Sequence, residues 1–160
     1  ILYNVPSRTS SNISADTTLR LSCDYRNIIG IKEASGNFDQ IMKIIKKKTS
    51  DFLLISGDDA LTTPMIHMGA EGVISVLAQS IPNKFSKMVS LALSKNIYES
   101  NKLHYRIYDC YDPIYSEGNP VGIKAYLEVL GICKSFVRPP LVKASNNTIK
   151  KLRNLNIWTN

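Results

Sequence analysis

The stretch "IIGIKEASGN", residues 28–37, sets a lysine inside an apolar run that otherwise reads as a buried strand. Ile28, Ile29 and Ile31 are β-branched, and Ser35, Gly36 and Asn37 follow as turn formers, so a strand is expected over residues 28–32. Desolvating an ammonium ion is costly, and Lys32 at the end of such a strand needs a reason. Burial favours the neutral amine, which is the form that attacks carbonyls, and this makes Lys32 a Schiff-base candidate. The competing reading is a lysine whose ammonium reaches the rim or pairs with Glu33.

On either side of this strand, short apolar runs alternate with longer amphipathic ones. Strands are expected at 1–5, 28–32, 52–56 and 72–76, with helices at 14–24, 37–48 and 60–70 between them. Ser14, Asn37 and Asp59 are the expected N-caps of those helices. Strands that are apolar on both faces and joined by helical crossovers belong to a parallel sheet, so the fold class is α/β. Polar residues gather at the C-terminal strand ends: Tyr3 and Asn4, Lys32 and Glu33, then Ser56, Gly57, Asp58 and Asp59. That edge of a parallel sheet is where ligands bind. Tyr3 and Lys32 are one strand–helix–strand step apart, which sets them on adjacent strands facing one pocket. A phenol there can relay protons, although a tyrosine at a strand end also serves as ordinary packing. Beyond residue 80 the pattern is helical, at roughly 82–95, 97–115, 119–130 and 145–155, with Pro139 and Pro140 before the last helix.

The 160 residues are 44% hydrophobic, enough for one globular domain with a real core. The net charge of +7 is scattered, and its one dense run, "KIIKKK" at 43–48, falls where a helix ends and cations are favoured. No nucleic-acid partner is expected. Cys23, Cys110 and Cys133 lack any CxxC spacing, so neither a disulfide framework nor a zinc site is indicated, and a reducing cytoplasm fits best. His67 and His104 stand without partners at metal-site spacing and read as surface or packing residues. No run approaches the roughly 18 apolar residues of a membrane span, so no membrane partner is expected. The opening "ILYNVPSRT" has no initiator methionine and starts as though inside a strand, which suggests a fragment.

Five segments, "YNVPSRT" at 3–9, "GIKEASGN" at 30–37, "SGDD" at 56–59, "GAEGVISV" at 69–76 and "EGNPVGIKAYLEVLG" at 117–131, closely resemble the dihydrodipicolinate synthase family. The resemblance spans nearly the whole chain with order preserved. It implies a (β/α)8 TIM barrel of which this chain is the C-terminal half, strands 5–8, plus a C-terminal helical extension. Residues 1–80 are then the half-barrel, and 81–160 the last barrel helix and the extension. It further implies a Schiff-base lyase of lysine biosynthesis through diaminopimelate, in which pyruvate and L-aspartate-4-semialdehyde condense to 4-hydroxy-tetrahydrodipicolinate. Lys32 would form the imine, Tyr3 would relay protons, Arg8 would bind the aldehyde's carboxylate, and Gly57 and Ile74 would border the pyruvate site. No metal or organic cofactor is implied, and a homotetramer is.

Ser10 departs from the family pattern, where glycine is common, as do Gln79, where asparagine is common, and Gly122, where proline is common. Four strands would leave two raw edges and half a core, and further proton-relay residues would lie in the missing half together with the lysine-feedback pocket. Two alternatives stand beside the synthase. One is a sister pyruvate lyase, such as N-acetylneuraminate lyase or a 2-keto-3-deoxy-sugar-acid aldolase, which would share Tyr3 and Lys32 without Arg8. The other is a catalytically dead remnant that serves only assembly.

Overall fold

In the computed structural model, residues 1–155 are described, and they divide into two compact units. The first holds Ile1–Ser75 with Val89–Ile97, and the second holds Val76–Met88 with the chain from Tyr98 onward.

The first unit is built on four parallel strands in chain order: β1 (Leu2–Asn4), β2 (Gly30–Glu33), β3 (Leu53–Ser56) and β4 (Gly72–Val73). The register pairs Tyr3 with Lys32, Lys32 with Ile55, and Ile55 with Gly72. Strand β4 is shorter than the expected 72–76, but Ile74 N still donates to Ser56 O at 3.0 Å. Between the strands run α1 (Pro6–Thr9), α2 (Ala15–Asp24), α3 (Phe38–Lys47) and α4 (Thr62–Met68). The apolar sides of α2, α3 and α4 meet one face of the sheet, where Ile31, Ile41, Ile44, Phe52, Leu54 and Met65 form a core from which water is excluded.

Local signals account for most of these elements. Ser14 and Asn37 cap α2 and α3, their side chains accepting from Thr17 N and Gln40 N. The lysine run ends α3 as expected, with Lys46 and Lys47 in its last turn. The expected Asp59 cap is a correction: α4 begins after Leu61 without a side-chain cap. Its neighbour Asp58 takes the nearby N–H instead, accepting from Ala60 N at 3.0 Å. Helix α1 was not expected. Pro6 at its first position supplies the helical φ and lacks only an N–H that would have no partner there.

The second unit is helical. It contains most of α5 (Pro82–Leu93) and of α6 (Ile97–Arg106), then α7 (Tyr111–Tyr115), α8 (Val121–Val129) and α9 (Asn146–Arg153). The single helix expected over 97–115 is broken after Arg106. Pro113 has no N–H to give to the carbonyl four residues back, so the chain passes through a tight 3-10 turn at Tyr108–Cys110 before restarting as α7. The expected last helix, 145–155, is realised as α9, Asn146–Arg153, with Leu155 following it at the limit of the described residues. His104 is buried and packs edge-on against Tyr105 and Tyr108. Cys110 is buried as well, and desolvation pushes its thiol up to about 12. Gly122 lies where a Cβ would come within 2.2 Å of the Ile114 carbonyl oxygen, so a residue without a side chain suits this approach of α7 to α8. No helix among the described residues is long and apolar enough to cross a membrane.

The start of α9 is tied to the loop after α7 by one carboxylate. Glu117 accepts from Ser145 N at 2.9 Å and from Ser145 Oγ at 2.6 Å, and Thr148 Oγ1 donates to it as well. The Ser145 hydroxyl, then that of Thr148, holds the Glu117 carboxyl below its ordinary 4.5. A value depressed in the folded state gives stability that is full above the unfolded value and is lost as pH falls through the folded one. Melting temperature measured from about pH 6 to about pH 3 is therefore expected to fall more steeply for the wild type than for Glu117→Gln, the two curves converging in acid. Parallel curves would show that this carboxylate contributes nothing.

Candidate functional site

Side-chain alternation along the strands decides which residues share a face. Tyr3, Lys32 and Ile55 lie in one row across the sheet that Gly72 continues on β4, and Ile74, two residues on, shares its face by alternation. Ile31, Glu33, Leu54 and Ser56 point the other way and are fully buried against the helices. The Lys32 row is partly open, with Tyr3 47% and Ile74 46% exposed.

Lys32 and Tyr3 touch. The Lys32 Nζ lies 4.2 Å from the centroid of the Tyr3 ring, close enough for a cation–π contact. Gly57, one residue past β3, lies against the stem of Lys32. A Cβ there would come within 3.0 Å of Lys32 Cε, 3.1 Å of Lys32 Cγ and 2.8 Å of Ala34 Cβ. Three of the expected site residues are thus brought together. Ile74 shares their face by strand alternation. Arg8 sits in the last turn of α1, exposed, on the rim where β1 ends. Helix α1 closes on Ser10 at φ 53°, the left-handed region that glycine adopts freely, so the departure from the family's glycine falls where a side chain is strained.

Glu33 is not the partner of Lys32. Successive residues of a strand face opposite sides, and Glu33 lies beneath the sheet with both oxygens occupied. Asn4 Nδ2 donates to each oxygen at 3.0 Å, Ser35 N donates to Oε1 at 2.7 Å, and Gln40 Nε2 donates to Oε2 at 2.9 Å. Asn4, Asn12 and Gln40 complete this cluster, which the reading of the strand ends as one ligand-binding edge does not separate from the Lys32 side. Its one legible sign is that Asn4 and Glu33 both sit on the helix-facing parity of strands that are otherwise apolar there.

At the end of β3, Ser56 Oγ donates to Asp58 O at 2.9 Å, and Thr62 Oγ1 donates to the same oxygen at 2.9 Å. Burial pushes the Asp58 carboxyl up, against the opposing N–H groups of Leu61 and Ala60, while the charge of Asp59 pushes the same way as burial. No group of three His, Cys, Asp or Glu side chains that would hold a metal ion occurs among the described residues.

Fold and site together define a class: a parallel strand–helix protein with a lysine amine presented beside a phenol at the C-terminal strand ends. The family model described as "Dihydrodipicolinate synthetase family" matches residues 1–156, and the chain belongs to that family. It is 47% identical over 152 residues to the 4-hydroxy-tetrahydrodipicolinate synthase of Flavobacterium psychrophilum, covering 95% of this chain and 52% of that protein. The solved dihydrodipicolinate synthase of Thermotoga maritima superposes with a TM-score of 0.93 at 35% identity, covering 96% of this chain and 53% of the other. That of Acinetobacter baumannii, solved with pyruvate, gives 0.92 at 32% identity over the same shares. The chain thus has the α/β fold of these structures and spans about half the length of the relatives it matches. These shares do not assign it to the C-terminal half.

Gly57→Ala is expected to press on the Lys32 stem and on Ala34, and to destabilise the first unit by about 1–3 kcal/mol, the usual cost of overpacking. Urea denaturation checks this, and an unchanged midpoint would mean that the stem has room to move.

Proposed function

We propose that this chain supplies the imine-forming half of a 4-hydroxy-tetrahydrodipicolinate synthase, acting in lysine biosynthesis through diaminopimelate in the cytoplasm. The observation that carries this is the contact of Lys32 Nζ with Tyr3 across adjacent strands, at the rim where parallel sheets bind ligands.

The neutral amine of Lys32 attacks the ketone carbon of pyruvate. The carbinolamine oxygen takes a proton and leaves as water, giving the imine, and the Tyr3 phenol serves that transfer. Loss of a methyl proton gives the enamine, whose carbon attacks the aldehyde of L-aspartate-4-semialdehyde. The semialdehyde's own amine then displaces Lys32, closing the ring and freeing the enzyme. Gly57 and Ile74 border the pyruvate, and Arg8 holds the carboxylate of the incoming aldehyde, a task suited to a planar guanidinium. No cofactor enters these steps.

The four strands are proposed as strands 5–8 of an eight-stranded barrel, and residues 81–160 as the last barrel helix with the C-terminal helical extension. Support for this order is that no strand follows β4 among the described residues, only helices. A first half would run on into the fifth strand. The homotetramer rests on the family resemblance alone.

In the barrel completed by its other half, pyruvate with borohydride is expected to leave a reduced three-carbon unit on Lys32, and peptide mapping reads the position. An adduct on Lys43 or Lys124 would reject the mechanism. Arg8→Ala is expected to raise KM for the semialdehyde by about 10- to 150-fold, the loss of a charge-assisted pair of roughly 1.5–3 kcal/mol, with imine formation retained. An unchanged KM would favour a sister pyruvate lyase.

A further inference from the structure

Asn4 follows Tyr3, Glu33 follows Lys32, and the two are register partners on β1 and β2. Both are buried on the helix side of the sheet, at 1% and 0% exposure, directly beneath the pair that meets on the other side. We propose that Asn4 and Glu33 are positioning residues that set the spacing of the Lys32 amine from Tyr3, an inference that rests on the imine chemistry assigned to Lys32.

An ionised carboxylate offers only acceptors, and every polar contact found for Glu33 is a donor: the Asn4 amide, the Gln40 amide and the Ser35 N–H. This fixes the direction of each amide around it. With its nitrogen turned to Glu33 and to Asn12 Oδ1 at 2.9 Å, Asn4 must present its oxygen to Ile13 N, which donates at 2.9 Å. With its nitrogen on Glu33, Gln40 presents its oxygen to Asn12 Nδ2 at 3.0 Å. One carboxylate therefore locks β1, the loop after α1, β2 and the first turn of α3 into one arrangement. A buried carboxylate among neutral donors is a poor source of stability, because its desolvation offsets much of what the bonds return. Its contribution is direction.

The consequence reaches the site through the backbone. Gly57 lies beside the Lys32 stem, where a Cβ would come within 3.0 Å of Cε and 3.1 Å of Cγ, and the Lys32 Nζ meets the Tyr3 ring at 4.2 Å. The placement of β1 against β2 at this one register step sets where the two side chains start from, and the Asn4–Glu33 bonds hold it from below.

Glu33→Gln tests this at nearly constant volume. An amide nitrogen at Oε1 would face the donors of Asn4 and Ser35, and at Oε2 those of Asn4 and Gln40, so donor meets donor in either orientation. Combining it with Asn4→Asp reverses the polarity, and turning over the Asn12 and Gln40 amides then restores the pairing among these four side chains, although the bond that Gln40 Nε2 donates to Ile13 O at 3.2 Å is lost. In the completed barrel, borohydride trapping of pyruvate gives the rate constant of labelling at Lys32 and the pyruvate concentration for half-saturation. Glu33→Gln is expected to lower that rate constant by at least about tenfold, since small misplacements of reacting groups are costly. Half-saturation should stay within about twofold, because the network touches no substrate. The double variant should recover part of the rate, the Gln40–Ile13 bond staying lost. A merely structural role would lower the labelled fraction and the melting temperature but leave the rate constant unmoved. A wild-type rate constant in Glu33→Gln, or a folded double variant no faster than the single one, would overturn the proposal. Should Glu33→Gln not fold, Asn4→Ala is judged by the same rate constant and must show the same loss. A wild-type barrel that labels normally beside an unchanged variant removes only this inference. One that never labels at Lys32 removes the imine reading and this inference with it.

Discussion

The parallel pairing of β1 with β2 is the constraint on which the rest depends. Because side chains alternate along a strand, the register that sets Tyr3 beside Lys32 also sends Ile31 and Glu33 to the helices. A slip of one residue would bury the ammonium in the core of Ile41, Ile44 and Leu54 and turn Glu33 toward the rim. Such an exchange is strongly unfavourable, since an unpaired buried charge costs more than most single interactions return. The apolar core and the amine at the rim are thus two results of one pairing.

That pairing leaves Lys32 in an intermediate state between core and surface. Its stem runs beside the space that Gly57 keeps clear, and its end lies on an aromatic face. A ring face attracts a cation without accepting a strong hydrogen bond, so Tyr3 restrains the amine more loosely than a carboxylate would. Had Glu33 been its partner, as adjacency in the chain suggests, the amine would be held as an ion pair and unavailable as a nucleophile. Committing Glu33 to Asn4, Ser35 and Gln40 keeps the negative charge on the far side of the sheet.

Much of this was legible because it is periodic. The apolar runs at 28–32 and 52–56 gave β2 and β3 to within two residues, and Ser14 and Asn37 announced their helices through cap chemistry that needs no distant partner. Features that depend on tertiary neighbours were not legible. Asp59 has the composition of an N-cap, but Asp58 holds the adjacent N–H and α4 starts three residues beyond Asp59. The four-residue α1 is too short to show a period, and only Pro6 hinted at it. The cluster around Glu33 joins residues from β1, a loop, β2 and α3, and no window of sequence contains them all. Residue types placed Tyr3 and Lys32 on one rim, while Arg8, Gly57 and Ile74 entered through the family resemblance.

The open face of the sheet carries the last step. In a parallel strand–helix protein both faces of the sheet are normally covered, yet Tyr3 and Ile74 remain nearly half exposed while the helix side is sealed. Strands β1 and β4 each have one neighbour among the described residues, so the same sheet that exposes a row of side chains also exposes two rows of backbone donors and acceptors. A helix laid on the face would cover the side chains and leave both edges unsatisfied. Further strands continuing from each edge and curving round would satisfy the edges and roof the Lys32 row at once, which is the arrangement of a closed barrel. Such an enclosure would also shield the proposed imine from water, so one covering would serve both the edges of the sheet and the chemistry proposed for Lys32.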